Sequence, residues 1–373
     1  MKVMLIGGTG VLSKDIAAQC ITSNFSLYMI NRGNRKEYIP KGSNVLIGDI
    51  INEPDTLFSK LEGLCFDVVV DFISYTPEQL SKKLQLFKDK CKQYIFISSA
   101  TVYSNEFSSE YITEKTPVTN YSWNYSKNKI LCEELLADEW QKNGLHYTIV
   151  RPYITYGDTR IPFAFNSKKN QWTLVDRIIN EQPVVVWDNG ENLCTLTHTK
   201  DFANGIIGLF MNTKAFEQAF HITSEENLPW SEVLNKIAEA VNKKARVIFI
   251  PSDVIELNFI GMKGELTGDK AITRKFDNTK IKSIVNDYFC DISFSEGIKK
   301  TINNYQKSPE LIKIDHEWNA KVNHLIYRYN KHNTNEIRDL KTRISDEIEF
   351  FKSNIVIIYY KFYRAFKRII KNF

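Results

Sequence analysis

The amino-acid sequence predicts an α/β protein with a doubly wound parallel sheet. The first 165 residues alternate short apolar, β-branched runs with helical patterns, which is typical of parallel strands covered on both faces. A glycine-rich turn also separates the first apolar run from the first helix. Strands are predicted at 3–6, 27–31, 44–47, 68–72, 94–98 and 147–150, and helices at 11–21, 77–88 and 124–143.

Three regions are expected along the chain. Residues 1–165, with contributions from about 185–222, form the doubly wound (Rossmann) domain. Residues 166–305 form a smaller, mixed α/β substrate lobe interleaved with it, and 306–373 form a helical, basic and amphipathic extension. Beyond residue 165, the sequence predicts helices at 174–180, 199–211 and 230–242 and a strand at 246–250.

Composition and charge exclude several classes of protein. The 373 residues are 43% hydrophobic, and the six scattered cysteines lack metal-ligand spacing, so reduced thiols and no metal site are expected. Residues 306–373 hold 14 Lys/Arg and 8 Asp/Glu, whereas the rest holds 35 and 36. No nucleic-acid partner is therefore expected for the body. Without a long apolar segment, we expect a cytoplasmic protein.

The glycine-rich turn is a candidate phosphate-binding site. Gly7, Thr9 and Gly10 follow the first strand, and Val11 and Leu12 open the helix. Glycines allow the backbone to approach a pyrophosphate, and the amides at the helix N-terminus bind it. Ser13 replaces the third glycine of the usual fingerprint, and a tight turn without a ligand is the alternative.

The end of the second strand bears on the type of dinucleotide. NAD sites usually carry a carboxylate there, which binds the ribose diol. This chain has Asn31 followed by Arg32 and Arg35, which favours a 2′-phosphate and hence NADP(H) over NAD(H). Solvated loop arginines are the alternative, and NAD stays open. After the third strand, Asp49 and Ile50 are candidates for contact with the adenine, although Asp49 fits a plain turn equally well.

Tyr125 and Lys129 are candidates for proton transfer. Their spacing places both on one face of a helix, one turn apart. An ammonium beside a phenol favours the phenolate, so the tyrosine could exchange a proton with a carbinol. Ser99 follows another apolar strand. The alternatives are a helix-surface pair and a serine that forms a turn.

Together these motifs resemble the extended short-chain dehydrogenases/reductases, in the NAD(P)-dependent sugar-nucleotide epimerase/dehydratase group. The resemblance covers about residues 1–300. The matching segments are Gly7-x-x-Gly10, Gly48-Asp49-Ile50, Ile97 to Tyr103, Tyr125-x-x-x-Lys129, Arg151-Pro152-Tyr153 and Thr197 to Asp201.

The resemblance implies a role for each matching residue. Tyr125 is the expected acid/base, and Lys129 is expected to hold the nicotinamide ribose and lower the pKa of the tyrosine. Ser99 is expected to hydrogen-bond the reacting oxygen. Tyr153 is expected at the nicotinamide end, and Phe72 is also expected to contact the cofactor.

Departures from the family pattern narrow the chemistry. Family dehydratases carry an Asp-Glu pair after the catalytic Ser or Thr, whereas Ala100 and Thr101 follow Ser99 here, so dehydration is disfavoured. Cys194 and Leu266 stand where UDP-sugar epimerases carry arginines that bind phosphate. The candidate replacements are Arg160, Lys168, Lys169 and Arg274, and His198 is expected to be structural.

The leading interpretation is an epimerase of a sugar or nucleotide sugar that works through a keto intermediate. An NADPH-dependent ketoreductase of a keto-sugar nucleotide is the first alternative. The second is a non-catalytic dinucleotide- or RNA-binding protein that reuses the fold.

The end of the chain is a candidate interaction segment. Residues 350–373 contain six Lys/Arg, no acid and many large apolar residues. Such a helix can lie on an anionic membrane surface. It can equally dock on the protein's own body or on a second subunit, and a homodimer is left open.

Overall fold

The computed structural model describes residues 1–107, 110–286, 288–333 and 340–371. Four segments lie outside these ranges. They are 108–109 of the predicted Rossmann domain, 287 of the predicted smaller lobe, and 334–339 and 372–373 of the predicted C-terminal extension. Within the described ranges, no helix is both long enough and apolar enough to cross a membrane.

The described residues form the following strands and α-helices, which alternate through the first half of the chain. The strands are β1 (Lys2–Ile6), β2 (Ser26–Asn31), β3 (Asn44–Ile47), β4 (Phe66–Asp71), β5 (Cys91–Ile97), β6 (Tyr111–Ile112), β7 (Tyr147–Arg151), β8 (Ile154–Tyr156), β9 (Pro183–Trp187), β10 (Leu193–His198), β11 (Gln218–His221), β12 (Asn227–Pro229), β13 (Arg246–Ile250) and β14 (Lys275–Phe276). The α-helices are α1 (Val11–Thr22), α2 (Pro77–Phe87), α3 (Asn124–Asn143), α4 (Trp172–Ile179), α5 (Thr199–Ile207), α6 (Trp230–Glu239), α7 (Ser252–Asn258), α8 (Thr279–Ile284), α9 (Phe294–Lys307), α10 (His316–Asn333) and α11 (Leu340–Lys371).

Seven parallel strands form the main sheet, in the order β11-β7-β5-β4-β1-β2-β3. The chain leaves β1 toward β2 and β3 and later crosses to β4 on the other side. The order therefore reverses between β1 and β4, and a crevice forms beyond the carboxyl ends of these strands. This sheet confirms the predicted doubly wound fold.

Alternation along β1 shows how the sheet is covered. Val3 and Leu5 face the core that contains α1 and α5, and Met4 and Ile6 face the core that contains α2 and α3. All four side chains are fully buried. A strand buried on both faces must be apolar at every position, which is why its signal in the sequence is a continuous run.

Beyond residue 165, the sequence predicted some elements and missed others. The strand at 246–250 is β13, but the helix predicted at 199–211 ends at Ile207. The chain then turns at Met211, whose amide donates to the Gln93 side chain. The strands β9, β10 and β11 were not predicted. They are short, and β11 is defined by its pairing with β7.

The smaller lobe is mixed, as expected. Its three-stranded sheet has the order β12-β10-β8, with β10 antiparallel to β12 and parallel to β8, and β9 pairs with β13. The helix α10 packs on this lobe through Trp318, whose ring lies 4.7 Å from that of Phe259. The helix α11 in turn packs on α10, where Phe350 stacks on Tyr327.

Replacing Gly297 by alanine is expected to destabilise the smaller lobe. Gly297 lies in α9, and a Cβ there would approach within 2.8 Å of carbon atoms in the Tyr156 ring. Overpacking of this kind typically costs about 1–3 kcal/mol. Urea unfolding should show this loss for Gly297→Ala. At Gly261 no atom lies within 4 Å of an added Cβ, so Gly261→Ala is the control and should stay within about 0.5 kcal/mol of the parent.

Candidate active site

A cleft of 510 Å³ lies at the carboxyl ends of β1, β2 and β3. It occupies the crevice where the strand order reverses, the usual place for a dinucleotide in this fold. The residues that line it are Gly7, Thr9, Gly10, Ile30, Asn31, Arg32, Asn34, Arg35, Gly48, Asp49, Ile50, Ile51, Asn52, Ile73 and Tyr75.

The glycine turn forms one wall of this cleft. Gly7 has φ +88°, and a Cβ at this position would lie 2.6 Å from Cγ2 of Ile73, so only glycine fits. Ser13 closes the turn: its hydroxyl donates to the Gly7 carbonyl at 2.8 Å and accepts from the Gly10 amide at 2.9 Å. The serine in place of the third glycine thus stabilises the turn. The first amides of α1, from Val11 and Leu12, are the kind of donor that binds a pyrophosphate.

The other end of the cleft has a polar and cationic rim. Asn31 accepts from the Gly33 amide at 2.8 Å, and its buried Nδ2 has no hydrogen-bond partner among the described residues. Arg32 and Arg35 also line this end. An unpaired amide donor and two guanidinium groups fit the acceptor oxygens of a ribose phosphate.

Asp49 lines the cleft but is already engaged within its own loop. Its carboxylate accepts from the amides of Ile51 and Asn52, each at 3.1 Å, and from the Asn52 side chain at 2.9 Å. These hydrogen bonds, chiefly the side-chain one, lower the pKa of Asp49. The aspartate therefore shapes the loop, and contact with an adenine remains a prediction. Ile50 is buried beside it.

Some predicted cofactor residues lie elsewhere. Phe72 and Leu12 pack against the apolar core. Tyr153 faces the smaller lobe, where Nζ of Lys270 lies 4.2 Å from the centroid of its ring. The residues after β4 that line the cleft are instead Ile73 and Tyr75, which the sequence reasoning missed. Their position could have indicated this, because they directly follow β4, one of the two strands between which the strand order reverses.

The predicted catalytic residues come together beside this cleft. Ser99 lies close enough to Tyr125 for its hydroxyl to lower the pKa of the tyrosine. The Nζ atom of Lys129 lies 5.8 Å from the Tyr125 ring centroid and 5.1 Å from the centroid of the Tyr75 ring. Tyr75 also lines the cleft, so it connects the cleft to the other three residues.

The pKa of Tyr125 differs from the expectation. Burial raises it to about 12, although the neighbouring Ser99 hydroxyl and the charge of Arg160 lower it. Lys129 was expected to lower this pKa, but its ammonium donates to the carbonyls of Ser74 at 2.7 Å and Ile97 at 2.8 Å. In this structure Tyr125 therefore holds its proton at neutral pH, the form that donates to a carbonyl oxygen.

Comparison with known proteins identifies the family. The profile of the NAD dependent epimerase/dehydratase family matches residues 3–222, more than half of the chain. The chain belongs to this family.

Two relatives of this chain are named for different functions. It is 24% identical over 253 residues to the chloroplast stem-loop binding protein of 41 kDa b from Arabidopsis thaliana, a match that covers 64% of this chain and 63% of that protein. It is 23% identical over 251 residues to the decarboxylating sterol-4-alpha-carboxylate 3-dehydrogenase of Dictyostelium discoideum, covering 61% of this chain and 73% of that one.

Solved structures support the fold. UDP-glucuronic acid 4-epimerase from Bacillus cereus, in complex with UDP-glucuronic acid and NAD, superposes with a TM-score of 0.66 at 17% identity. The superposition covers 82% of this chain and 99% of the epimerase. At this identity the likeness establishes the fold alone.

A buried polar network lies behind Lys129, and the sequence reasoning did not find it. Asp71, at the end of β4, accepts from Tyr94 at 2.9 Å and from Ser74 at 2.5 Å. Lys83 of α2 is fully buried and donates to Ser74 at 2.6 Å. The charge of Asp71 favours the ammonium forms of Lys83 and Lys129, whereas burial lowers the pKa of both lysines, that of Lys129 to about 8.

A second, smaller pocket lies on the other side of Tyr125. It is lined by Arg160, Lys168, Glu265 and Lys270, among other residues. Lys168 pairs with Glu265 at 2.5 Å, whereas Arg160 forms no ion pair with a described residue. Because its charge also acts on Tyr125, Arg160 is the cation best placed to meet a bound substrate.

Four other positions named in the sequence analysis are packed inside the protein and do not face a pocket described above. Cys194 and Leu266 are fully buried. Arg274 is also buried and donates to the Ser104 carbonyl at 3.1 Å. His198 caps α5, accepting from the Lys200 amide at 3.2 Å. None of these four side chains lines either pocket described above.

The titration of Lys129 should be visible in the pH dependence of stability. Its pKa is about 8 in the folded protein against an ordinary 10.5, so between these values the unfolded chain binds more protons. The free energy of unfolding of the parent, relative to Lys129→Met, should therefore rise with pH in this window, by up to about 1.4 kcal/mol per pH unit. Denaturant unfolding from pH 7 to 10.5 measures the difference, and a flat curve would contradict the depressed pKa.

Proposed function

We propose that this protein is an NAD(P)-dependent epimerase of a nucleotide sugar that works through a keto intermediate. The observation that carries the proposal is that Tyr125, Ser99 and Lys129 lie together next to Tyr75, which lines the cleft. Proton transfer and hydride transfer must occur on the same carbinol of the substrate. An acid/base at Tyr125 would lie beside the proposed cofactor site and could therefore serve this carbinol.

The cleft residues have distinct roles in binding the cofactor. Gly7, Thr9 and Gly10 would approach the pyrophosphate, which the amides of Val11 and Leu12 would bind. Asn31, Arg32 and Arg35 would bind the adenosine ribose and its 2′-phosphate, and Asp49 and Ile50 would border the adenine. Lys129 would hold the nicotinamide ribose. When bound, the nicotinamide accepts a hydride from the substrate carbon and returns it.

The proton chemistry falls to Tyr125 and Ser99. As the substrate hydroxyl is oxidised, Tyr125 would take the hydroxyl proton, and Ser99 would orient the oxygen. This half-reaction requires the phenolate of Tyr125, and the positive charge of an oxidised nicotinamide bound beside it would lower the pKa of about 12 that burial gives the tyrosine. When the hydride returns to the opposite face of the ketone, Tyr125 would give the proton back. The two half-reactions balance, so an epimerase consumes no net cofactor.

Arg160 supports a phosphorylated substrate. Its guanidinium lies in the pocket beyond Tyr125 and can bind a phosphate oxygen pair. The Bacillus cereus neighbour was solved with UDP-glucuronic acid, and we propose a nucleotide sugar here by analogy of the fold. The sterol dehydrogenase relative is named for a carboxylate substrate, which a guanidinium also binds. Arg160 therefore supports an anionic substrate, and the choice of a nucleotide sugar rests on the analogy of the fold.

A ketoreductase is the second candidate. It is favoured by Arg32 and Arg35, which suit an NADP(H) that exchanges on each turnover, and by the protonated form of Tyr125 at neutral pH. A non-catalytic nucleic-acid-binding role is favoured by the name of the plastid relative alone.

Turnover of the purified protein tests the proposal. Mass spectrometry of ligands released from the parent should identify a dinucleotide and a nucleotide sugar, and the sugar should epimerise without net NAD(P)H change. Tyr125→Phe should lower kcat by about 10²–10⁴-fold, because it removes the proton donor.

The control is Tyr121→Phe, a change at an exposed tyrosine just before α3 begins. Stoichiometric NADPH consumption would favour the reductase, and unchanged activity of Tyr125→Phe would exclude both catalytic readings.

The cofactor preference depends on the two arginines at the cleft rim. Loss of their charge in Arg32→Ala/Arg35→Ala should weaken NADPH binding by about 10–100-fold, since charge-assisted contacts are worth roughly 1.5–3 kcal/mol. NADH binding should change only a few-fold. Fluorescence titration with both cofactors measures this, and equal loss for the two would contradict a 2′-phosphate site.

A further inference from the structure

The helix α11 has an apolar face that no described residue of the protein covers. Six large side chains on this face are 44–73% exposed. They are Phe351, Ile355, Ile358, Tyr359, Phe362 and Tyr363. Their spacing of three and four residues aligns them on one side of the helix, which we call the tail face.

The opposite side of α11 is fixed to the protein. Phe350 stacks on Tyr327 of α10 with ring centroids 4.1 Å apart, and Ser353 is 3% exposed. Further along, Arg364 forms two contacts of 2.6 Å with the Glu317 carboxylate. Because this side is occupied by α10, the tail face points away from the body.

The positive charge around the tail face indicates an anionic partner. Lys352, Lys361, Arg364 and Lys367 are exposed, and from Phe350 to the end of the chain the sequence has six basic residues and no acidic one. Two copies of this segment would bring like charges together. A cationic helix with an exposed aromatic and aliphatic face instead matches an anionic surface with an apolar interior.

A second exposed apolar pair lies at the end of α7. Leu257 and Ile260 are 79% and 81% exposed. Ile260 lines a cleft of 420 Å³ together with Trp318 and the cationic Lys169 and Lys321. Glu317, which holds Arg364, directly precedes Trp318. An exposed isoleucine beside lysines is thus also found in the cleft next to Trp318 of α10.

We propose that the tail face binds the surface of an anionic lipid bilayer, with α11 lying in the interface. The helix would bury the six apolar side chains among the acyl chains near the headgroups, and its lysines would remain at headgroup level. No helix among the described residues is suited to span the bilayer, so the contact is peripheral and reversible. The proposal is independent of the catalytic function.

Vesicle co-sedimentation of the full-length protein tests this. The protein should bind vesicles of phosphatidylcholine mixed with phosphatidylglycerol, more weakly as salt increases, and bind pure phosphatidylcholine poorly. The triple variant Ile355→Gln/Ile358→Gln/Phe362→Gln should lose at least tenfold in partitioning. Phe58→Gln/Phe249→Gln/Phe289→Gln removes aromatic side chains of 46–58% exposure elsewhere and should bind like the parent.

Three outcomes would overturn the proposal. These are no binding of the parent to anionic vesicles, equal binding by the tail-face triple variant, and conversion of a dimer into monomers by that variant without any vesicle binding. The last result, measured by sedimentation velocity, would assign the face to a second copy. Circular dichroism and thermal unfolding of both triple variants show that each is folded.

Discussion

The buried ammonium of Lys129 constrains the whole site. A lysine that is 1% exposed must have its charge compensated, and here the compensation comes from two backbone carbonyls and from Asp71 behind them. The carbonyls belong to the segments that follow β4 and end β5. These bonds hold α3 against the carboxyl edge of the sheet, and Tyr125, one turn earlier, is thereby fixed beside Ser99.

The sheet order explains why this edge becomes a site. With β1 between β2 and β4, the turns after these strands diverge and leave the cleft between them. One wall is the glycine turn, closed by Ser13, and another is the segment at Ile73 and Tyr75. A second pocket lies in the smaller lobe, and Arg160, in a loop after β8, lines it. Residues far apart in the chain therefore share one crevice.

Local signals explain what could be predicted. The helix α3 begins and ends at the predicted residues, because Gly144 adopts φ +67° and stops it. The doubly wound sheet followed from apolar runs at regular spacing. The motif residues Tyr125, Lys129 and Ser99 were predicted from their spacing and from the family resemblance, and the structure brings them together. Phe72 was predicted to contact the cofactor, whereas it packs against the apolar core, and the next residue, Ile73, lines the cleft. The network of Asp71 and Lys83 has no local signal at all.

The sequence by itself determined the fold class, the family and the residue types available for proton transfer, because these depend on periodicity and on short motifs. The tertiary structure decided the electrostatics. Burial, which no sequence pattern gives, raises the pKa of Tyr125 to about 12 and lowers that of Lys129 to about 8. It also decided which side of α11 is covered and which cations line the second pocket. These properties depend on long-range packing, which places groups together that lie tens to hundreds of residues apart.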